Sequence, residues 1–270
     1  MYAEGRVVKQ LLLGGRMNSS VQGAQSFSRS IAVLQMIADS ENPVSRVELA
    51  ETAGLTRPTL YRIIASLEAE GLIEQAGQGR YRLGARLVSM ARSALAQNDV
   101  RRVAEPQLER LRDTTGETVH LAIPSDDAMV YIDKIESLET VRMMSTIGSR
   151  IALHSTSVGK AYLSALPTAD ATALIERIDR PQVTEFTVTD PAAIKIRLDQ
   201  ARKQGFVRED QENELGIVCF GAPIRSNDGT PVAAISVSVP MFRLDEEKSY
   251  GDAVAEAARL VSERMGYVGA

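Results

Sequence analysis

Side chains that can bind nucleic acid are concentrated in the segment LTRPTLYRII, residues 55–64. Arg57 and Arg62 can bond guanine or phosphate, and the hydroxyl groups of Thr59 and Tyr61 can reach bases or phosphates. Because these residues lie so close together, one exposed helical surface can carry all four. The segment therefore has the residue types of a helix that reads DNA.

The apolar residues of the same helix form a second face. They follow the i, i+3, i+4, i+7 rule and are Leu60, Ile63, Ile64 and Leu67. At about 100° per residue, Arg62 points almost directly away from this stripe. A solvated amphipathic helix in a protein-interaction domain has the same pattern, so the neighbouring elements must distinguish the two interpretations.

Two helices are predicted before this one. The first begins near Ser26 and ends before Pro43, because its apolar residues recur at helical spacing. The second is short: it begins at Ser45, three residues before Glu48 as in a capping box, and ends at Gly54.

The third helix has its own start and stop residues. Thr56 is a good N-cap, and Pro58 falls in the first turn, where its missing N–H costs nothing. We expect the helix to end near Gly71.

A hairpin follows in LIEQAGQGRYRLG, where two short strand-like pieces surround Gly77 and Gly79. Arg80 and Arg82 lie near its tip. Three helices and a basic hairpin together predict a winged helix-turn-helix.

The charge is unevenly distributed along the chain. The whole sequence has a formal net charge of -4, which argues against a protein that coats nucleic acid non-specifically. Residues 1–100 contain 11 Lys and Arg against 9 Asp and Glu, so the acidity belongs to the remainder of the chain. The predicted DNA-reading helix lies in the more basic part.

Composition excludes several classes of protein. The chain has 270 residues, 44% hydrophobic and 24% charged, which is typical of a globular protein with two domains. It contains no apolar run of the roughly 20 residues that span a bilayer, so we expect no membrane association and a cytoplasmic location. One cysteine, Cys219, rules out an intramolecular disulfide framework, and with only His120 and His154 we expect no metal site and no cofactor.

Periodicity predicts four regions. Residues 1–23 have none and are expected to form a flexible tail; residues 24–86 contain the winged helix-turn-helix, with the helix-turn-helix itself at about 45–66. Residues 87–101 are predicted as a linker helix, within a helical stretch from about Ala85 to Thr114, and residues 102–270 as a second domain.

The pattern changes to an alternating one beyond Gly116. The β-like segments are TVHLAIP, AMVYIDKI, TVRMMSTIG, CFGAPIR and PVAAISVSV, with Asn227-Asp228-Gly229 as the turn between the last two. The predicted helices are Ser157 to Ala165, Ala169 to Arg177, Pro191 to Gln204 and Glu246 to Met265. This order predicts an α+β sensor domain with helices packed on a sheet.

The sequence resembles the IclR-type (isocitrate lyase regulator) bacterial transcription factors over nearly all of residues 24–268. The N-terminal markers are SRVELAETAGLTRPTLYRIIASLEAEGLIEQ and GRYRLG, and the C-terminal markers are GSRIALHSTSVGKAYLSAL, GFVREDQENELGIVCFGAPI and VAAISVSVP. The resemblance implies a winged helix-turn-helix, a linker helix and a GAF-like effector-binding domain. It also implies a homodimer or homotetramer that works on a promoter.

The resemblance sharpens the DNA-binding prediction, because Arg62 matches an arginine in the middle of the family's recognition helix. Ser45 and Arg46, at the N-terminus of the second helix, are expected to bind phosphate. Arg80 and Arg82 are expected along the adjacent backbone or minor groove. Two-fold symmetry then predicts double-stranded DNA with a near-palindromic operator as the partner.

The resemblance also implies an effector pocket for a small organic or aromatic acid. Carried over by position, its lining is Met143, Ile151, Ser157, Val158, Glu209, Ile217, Cys219, Ser236 and Ser238. Ser236 and Ser238 alternate along one strand, so they point to the same side. For Cys219 the alternative is a small buried hydrophobe, and we interpret His154 and the pair Gly159-Lys160 as structural.

Two other functions stay open at this point. Ser157, His154 and Cys219 could form a nucleophilic site, although the chain has no G-x-S-x-G elbow, H-E-x-x-H pair or dinucleotide fingerprint. Alternatively, the long helical stretch could dimerise a scaffold, which would not explain the basic hairpin. We therefore predict a ligand-responsive regulator of a catabolic operon rather than an enzyme.

Overall fold

The structure is a computed structural model that describes residues 25–97, 99–140 and 145–269. The chain divides into two compact units, residues 1–97 and 98–270. The predicted tail and the pocket residue Met143 lie outside the described residues, as does the centre of the predicted strand TVRMMSTIG.

Helices of the first unit follow the predicted order. They are α1 (Gln25–Ala38), α2 (Arg46–Ala53), α3 (Arg57–Ala69) and α4 (Ala85–Ala96). The capping box at the start of α2 is present, because the Glu48 N–H donates to the Ser45 hydroxyl and the Ser45 N–H donates to the Glu48 carboxylate. Gly54 ends α2 with a φ of 59°, a conformation that glycine adopts without strain.

The start of α3 differs in one detail from the prediction. Thr56 occupies the N-cap position, but its side chain makes no capping hydrogen bond. Its hydroxyl instead lies 2.9 Å from the hydroxyl of Thr59. Pro58 falls in the first turn as expected, so the fixed φ of proline helps to start the helix.

A three-stranded antiparallel sheet completes the first unit. Its strands are β1 (Val44–Ser45), β2 (Ile73–Gln75) and β3 (Arg80–Leu83), in the order β1-β3-β2. The hairpin of β2 and β3 was predicted, whereas β1 was not, since two residues carry no periodic pattern. The core comprises Val33, Met36, Ile37, Leu49, Leu60, Ile63, Ile64, Leu67, Ile73 and Tyr81.

The second unit contains a six-stranded antiparallel sheet. Its strands are β4 (Thr118–Ser125), β5 (Ala128–Ile135), β6 (Arg150–Ala152), β7 (Val207–Asp210), β8 (Ile217–Arg225) and β9 (Pro231–Pro240), in the order β6-β5-β4-β9-β8-β7. Its helices are α5 (Asp99–Thr115), α6 (Ser157–Ala165), α7 (Thr168–Arg177), α8 (Pro191–Gln204) and α9 (Tyr250–Arg264), and a short 3-10 helix spans Met241–Arg243.

The helices of this unit pack on both faces of the sheet. Phe220 of β8 stacks on Tyr250 of α9, with ring centroids 5.4 Å apart. The next residue, Gly221, faces the other way, because a Cβ there would lie 2.7 Å from the backbone of Ser157 in α6. The sheet therefore separates α9 from α6, and α6 is almost completely buried against it.

Several boundaries differ from the sequence prediction. Strands β6 and β7 were missed, and the last helix begins at Tyr250 instead of Glu246. The described end of the predicted strand TVRMMSTIG, residues 145–148, is a turn region rather than a strand. The range 87–101, predicted as one linker helix, contains the end of α4 and the start of α5, and Pro106 lies inside α5.

Within the described ranges, no helix combines the length and the apolar run that a membrane crossing requires. The same residues contain no group of three His, Cys, Asp or Glu side chains placed to hold a metal ion.

Candidate nucleic-acid interface and ligand pocket

Helix α3 buries one face and exposes the other. Its apolar stripe, predicted from the sequence, is buried in the core of the first unit. Arg57, Tyr61 and Arg62 are exposed, and Thr59 is half-buried. The fold thus leaves two guanidinium groups and two hydroxyl groups on one surface, which is what direct reading of base edges needs.

Arg46 is held by two tyrosines rather than left free. Its guanidinium lies 5.3 Å from the ring centroids of both Tyr61 and Tyr81, and its Nε donates to the Tyr81 hydroxyl at 2.9 Å. Tyr81 is fully buried in β3, so Arg46 ties α2, α3 and the hairpin together. No local pattern indicates this contact, because Tyr81 is 35 residues away along the chain.

The hairpin arginines form exposed ion pairs. Arg80 donates to the Pro43 carbonyl at 2.8 Å and to Glu48 at 3.3 Å, while Arg82 donates to Glu74 at 2.7 Å. These pairs are open to solvent and hence weak, so a phosphate can compete for either guanidinium. The Ser45 hydroxyl is already engaged in the capping box of α2.

A small cavity lies between the start of α6 and the sheet of the second unit. Its described lining is Tyr131, Thr156, Ser157, Glu209, Asn213, Glu214, Ile217, Cys219, Ser236 and Ser238. The volume is about 10 Å³, which accommodates roughly one water molecule. Six of the nine predicted pocket residues therefore meet around one polar cavity.

Strand register explains why these side chains converge. Glu209 lies opposite Cys219, which lies opposite Ser238, and Gly221 lies opposite Ser236. Directly paired residues of antiparallel strands point to the same face, so side chains of β7, β8 and β9 together form one polar wall of the cavity. The Cys219 thiol donates to the Ser238 hydroxyl at 3.3 Å.

The N-terminus of α6 can lie close to this wall of the sheet because Gly221 has no side chain. A Cβ at Gly221 would collide with the backbone of Ser157 at 2.7 Å. Thr156 caps the helix, and its hydroxyl accepts the Gly159 N–H at 3.1 Å. The partial positive charge at this helix end favours an anionic group of a ligand.

Burial changes the protonation of the pocket. It raises the pKa of Glu209 to about 7, since solvent is excluded from the carboxylate, although the positive charge of Lys160 acts in the opposite direction. Burial also raises the pKa of the Cys219 thiol well above its usual value and raises the pKa of Tyr131. Cys219 and Tyr131 are therefore neutral, whereas Glu209 can donate or accept a proton near neutral pH.

Two further predicted pocket residues, Ile151 and Val158, lie elsewhere. Val158 is buried in the hydrophobic core, and Ile151 packs against the same core, so neither is among the residues that line the cavity. The prediction missed Tyr131, Thr156, Asn213 and Glu214. Of these, only Thr156 had an available indication, because it precedes the predicted start of α6.

His154 and Lys160 have structural contacts. The Nε2 of His154 lies 3.0 Å from the Pro181 carbonyl oxygen, and burial lowers the pKa of this imidazole. Lys160 is fully buried and donates to Glu212. Both agree with the structural interpretation of these residues.

Family comparisons cover both units. The profile described as the IclR helix-turn-helix domain matches residues 26–77, and the profile described as the bacterial transcriptional regulator IclR C-terminal domain matches residues 92–263. The chain belongs to the IclR family of transcriptional regulators. The family resemblance predicted from the sequence is thereby confirmed.

Individual relatives of known structure or function match along nearly the whole chain. The transcriptional repressor IclR of Escherichia coli (strain K12) is 32% identical over 247 residues, 90% of each chain. The crystal structure of the Thermotoga maritima IclR is 31% identical, covers 90% of this chain and 99% of its own, and has a TM-score of 0.70. An IclR homologue from Microbacterium hydrocarbonoxydans, solved in complex with 4-hydroxybenzoate, is 25% identical with a TM-score of 0.74, covering 89% of this chain and 99% of its own.

The IclR family assignment gives each unit a role. The first carries the helix-turn-helix DNA-binding domain, and the second is the α+β effector-binding domain of a transcriptional regulator. The predicted two-domain architecture is confirmed.

Proposed function

We propose that this regulator binds a near-palindromic operator as a homodimer or homotetramer, and that a small organic or aromatic acid bound between α6 and the sheet changes this binding. The observation that carries the proposal is the polar cavity, where the start of α6 meets side chains from β7, β8 and β9. A catabolic operon is the expected target, because such acids are products of degradation.

The DNA-contacting side chains are divided between two tasks. We assign base recognition to Arg57, Thr59, Tyr61 and Arg62, since α3 exposes them together. Phosphate binding is assigned to the start of α2 at Ser45 and to the hairpin arginines Arg80 and Arg82. Arg46 is assigned mainly to holding Tyr61 and the hairpin in position, and less to phosphate than the sequence alone suggested.

The effector class follows from the arrangement of donors and acceptors. The start of α6 and the hydroxyls of Ser236 and Ser238 can donate to a carboxylate, whereas the carboxyl of Glu209 can bond a ligand hydroxyl. An acid with a hydroxyl group, such as the 4-hydroxybenzoate bound by the relative, can bond the donors through its carboxylate and Glu209 through its hydroxyl. We therefore expect hydroxylated aliphatic or aromatic acids to bind best.

The size of the cavity links binding to a change in conformation. A space for about one water cannot hold such an acid, so the ligand must select or induce a more open state. Only a ligand with different affinities for the open and closed states can shift their populations. The helical stretch from α4 to α5 would transmit the shift to the DNA-binding domains.

Apolar side chains on α4 favour an oligomer. Val88 and Met90 are 71% and 55% exposed, and Leu87 and Leu95 are half-buried. Pairing of α4 with a second copy would remove these side chains from water. We place the linker at residues 87–101, between a DNA-binding domain at 24–86 and an effector domain at 102–270.

The remaining assignments concern location and catalysis. We propose a cytoplasmic protein without catalytic activity, because burial raises the pKa of the pocket thiol well above its usual value and keeps it protonated. His154 is bonded to a backbone carbonyl and is not among the residues that line the cavity.

Selection from random duplexes tests the DNA-binding part. The full chain should enrich an inverted repeat whose half-sites are separated by about one helical turn. Enrichment of a single asymmetric half-site by a monomer would contradict the proposed symmetry.

A thermal-shift series tests the effector part. Hydroxylated acids, with 4-hydroxybenzoate included, should raise the melting temperature saturably, and Ser238→Ala should weaken the effect. Chromatography of the incubated ligand provides the control: recovery of unchanged ligand supports a sensor, whereas turnover supports an enzyme.

A further inference from the structure

A buried ion-pair cluster adjoins the ligand pocket. Lys160 of α6 donates to the Glu212 carboxylate, and Arg197 of α8 donates to the same oxygen. The side chains of Lys160 and Glu212 are each 1% exposed, whereas that of Arg197 is 43% exposed. The cluster thus joins two helices to the loop that follows β7, with one cation reaching solvent.

Every oxygen atom of Glu212 has a partner. The second carboxylate oxygen accepts the Val188 N–H at 3.2 Å, and the backbone carbonyl accepts the hydroxyls of Thr187 at 2.6 Å and Thr184 at 3.4 Å. Burying a charged pair costs as much solvation energy as its attraction returns, so it contributes little net stability. The main effect of the ion-pair cluster is therefore to hold the loop in one position.

That loop forms part of the pocket. The backbone N–H groups of Glu212 and Asn213 both donate to one carboxylate oxygen of Glu209. Asn213 and Glu214 line the cavity themselves, and the Ser155 hydroxyl donates to the Asn213 side chain at 3.4 Å. The position of Glu212 therefore determines where the carboxyl of Glu209 meets the cavity.

We propose that Lys160 and Glu212 are positioning residues of the effector pocket, which hold the loop of residues 211–216 against α6 and so fix the place and charge of Glu209. This inference builds on the proposed function, in which Glu209 meets the ligand. Lys160 and Glu212 do not line the cavity, and they act through Glu209, Asn213 and Glu214.

Opposite charges in the cluster act in opposite directions on Glu209. Lys160 lowers the pKa of Glu209, and the negative charge of Glu212 raises it. Cys219 on β8 and Tyr131 on β5 also face this carboxyl, and both are neutral near pH 7 because burial raises the pKa of each. The loop adds Glu214, whose own pKa burial raises. A pair that acted only through its charges would shift the pKa of Glu209 in opposite directions when either member is removed. A pair that holds the loop also keeps the N–H donors of Glu212 and Asn213 in place, and both donors lower this pKa.

Carbon-13 NMR of glutamate carboxyls in the full chain measures this titration, with Glu209→Gln identifying the resonance. Lys160→Met should raise the midpoint by about one pH unit, because it removes a cation and releases the loop N–H groups that lower the pKa of Glu209. Glu212→Gln should also raise it, because the loss of these N–H donors outweighs the loss of the negative charge. A rise with Lys160→Met and a fall with Glu212→Gln would show that the pair acts only through its charges, and would overturn the proposal.

Labelling of Cys219, the single cysteine, with a thiol reagent reports whether the loop stays closed. Arg197→Met removes the half-exposed cation and should fold even if Lys160→Met does not. It should accelerate labelling roughly tenfold, because labelling follows the population of the open state. Lys195→Met is the matched control on α8, since it breaks only the exposed pair with Glu176. Equal rates for the two variants would contradict the proposal.

Neither measurement uses a ligand, so they separate this inference from the proposed function. Failure of the wild-type chain to bind hydroxylated acids would contradict the proposed effector class, while the titration and the labelling rate would still decide whether Lys160 and Glu212 position Glu209.

Discussion

The two units place their functional groups in contrasting environments. On α3, the guanidinium groups of Arg57 and Arg62 are exposed, and an apolar stripe on the same helix supports them. In the pocket, Glu209, Cys219 and Ser238 are buried and hydrogen-bonded to groups from other elements. A DNA-binding group must meet a large charged partner at the surface, whereas a sensor must desolvate a small one.

This contrast predicts how each unit responds to substitution. Removal of an exposed DNA-binding group should cost binding energy without affecting folding. Removal of a buried pocket group should change ligand binding and folding together, because its partners are left unsatisfied.

The largest effect is expected for Arg62→Ala. If Arg62 bonds guanine through two donors, its loss should weaken operator binding by about 1–3 kcal/mol, up to roughly a hundredfold. The urea midpoint should stay unchanged, since the side chain is exposed. A gel-shift titration measures the first quantity and chemical denaturation the second. Wild-type operator affinity in this variant would contradict the assignment of α3.

Two buried groups of the second unit, His120 and Glu209, should change its stability in opposite directions as the pH falls. Burial lowers the pKa of His120 to about 3, so the stability it provides is present above pH 6.5 and is lost as the pH falls. Burial raises the pKa of Glu209 to about 7, so its contribution is present below pH 4.5 and is lost as the pH rises through 7. Between pH 6.5 and 5 the two changes oppose each other, each by about 2 kcal/mol.

Two variants reveal these opposing changes. Between pH 6.5 and 5, His120→Gln should become more stable and Glu209→Gln less stable, while the wild type changes little. Amide hydrogen exchange in β4 measures this for the second unit, and exchange in α3 is the internal control. If both variants respond to acid as the wild type does, the buried groups do not control stability in this range.

The same contrast explains what could be predicted from the sequence. The stripe of α3, the capping box at Ser45 and the limits of α6 and α8 were all predicted, because each depends on residues within a few positions. Strand β7 was missed because VRED alternates over only four residues and carries three charges. Short-range patterns are sufficient only where short-range contacts form the element.

Prediction of the pocket from the sequence would have required contacts between residues that are far apart in the chain. Resemblance supplied Glu209 and Cys219, but the register that places them opposite each other joins strands that no local pattern aligns. The partner of Lys160 is 52 residues away, so its burial had no local explanation. Val158 was expected in the pocket from the resemblance, yet its side chain is buried in the hydrophobic core.

A moderate effect is expected for Ser238→Ala. Its hydroxyl accepts from Cys219 and lines the cavity, so its removal should weaken ligand binding by about 1 kcal/mol, roughly fivefold. Calorimetric titration with 4-hydroxybenzoate measures the change. Ser226→Ala, at an exposed hydroxyl in the turn between β8 and β9, is the control and should bind normally. Equal affinities for the two variants would remove Ser238 from the pocket.

The smallest effect should come from the hairpin pair Arg82–Glu74. Both side chains are exposed, so the pair itself contributes little stability. Arg82→Ala should reduce operator affinity only about two- to threefold, and should reduce the slope of log affinity against log salt by about 1, because one phosphate contact is lost.

Glu74→Gln should act in the opposite direction, since it frees Arg82 and removes a negative charge near the DNA. Arg86 and Glu70 form a similar exposed pair outside the hairpin, and Glu70→Gln is the matched control. Binding that is insensitive to Glu74→Gln, or equally strengthened by Glu70→Gln, would show that the hairpin does not reach the backbone and that only α3 meets the DNA.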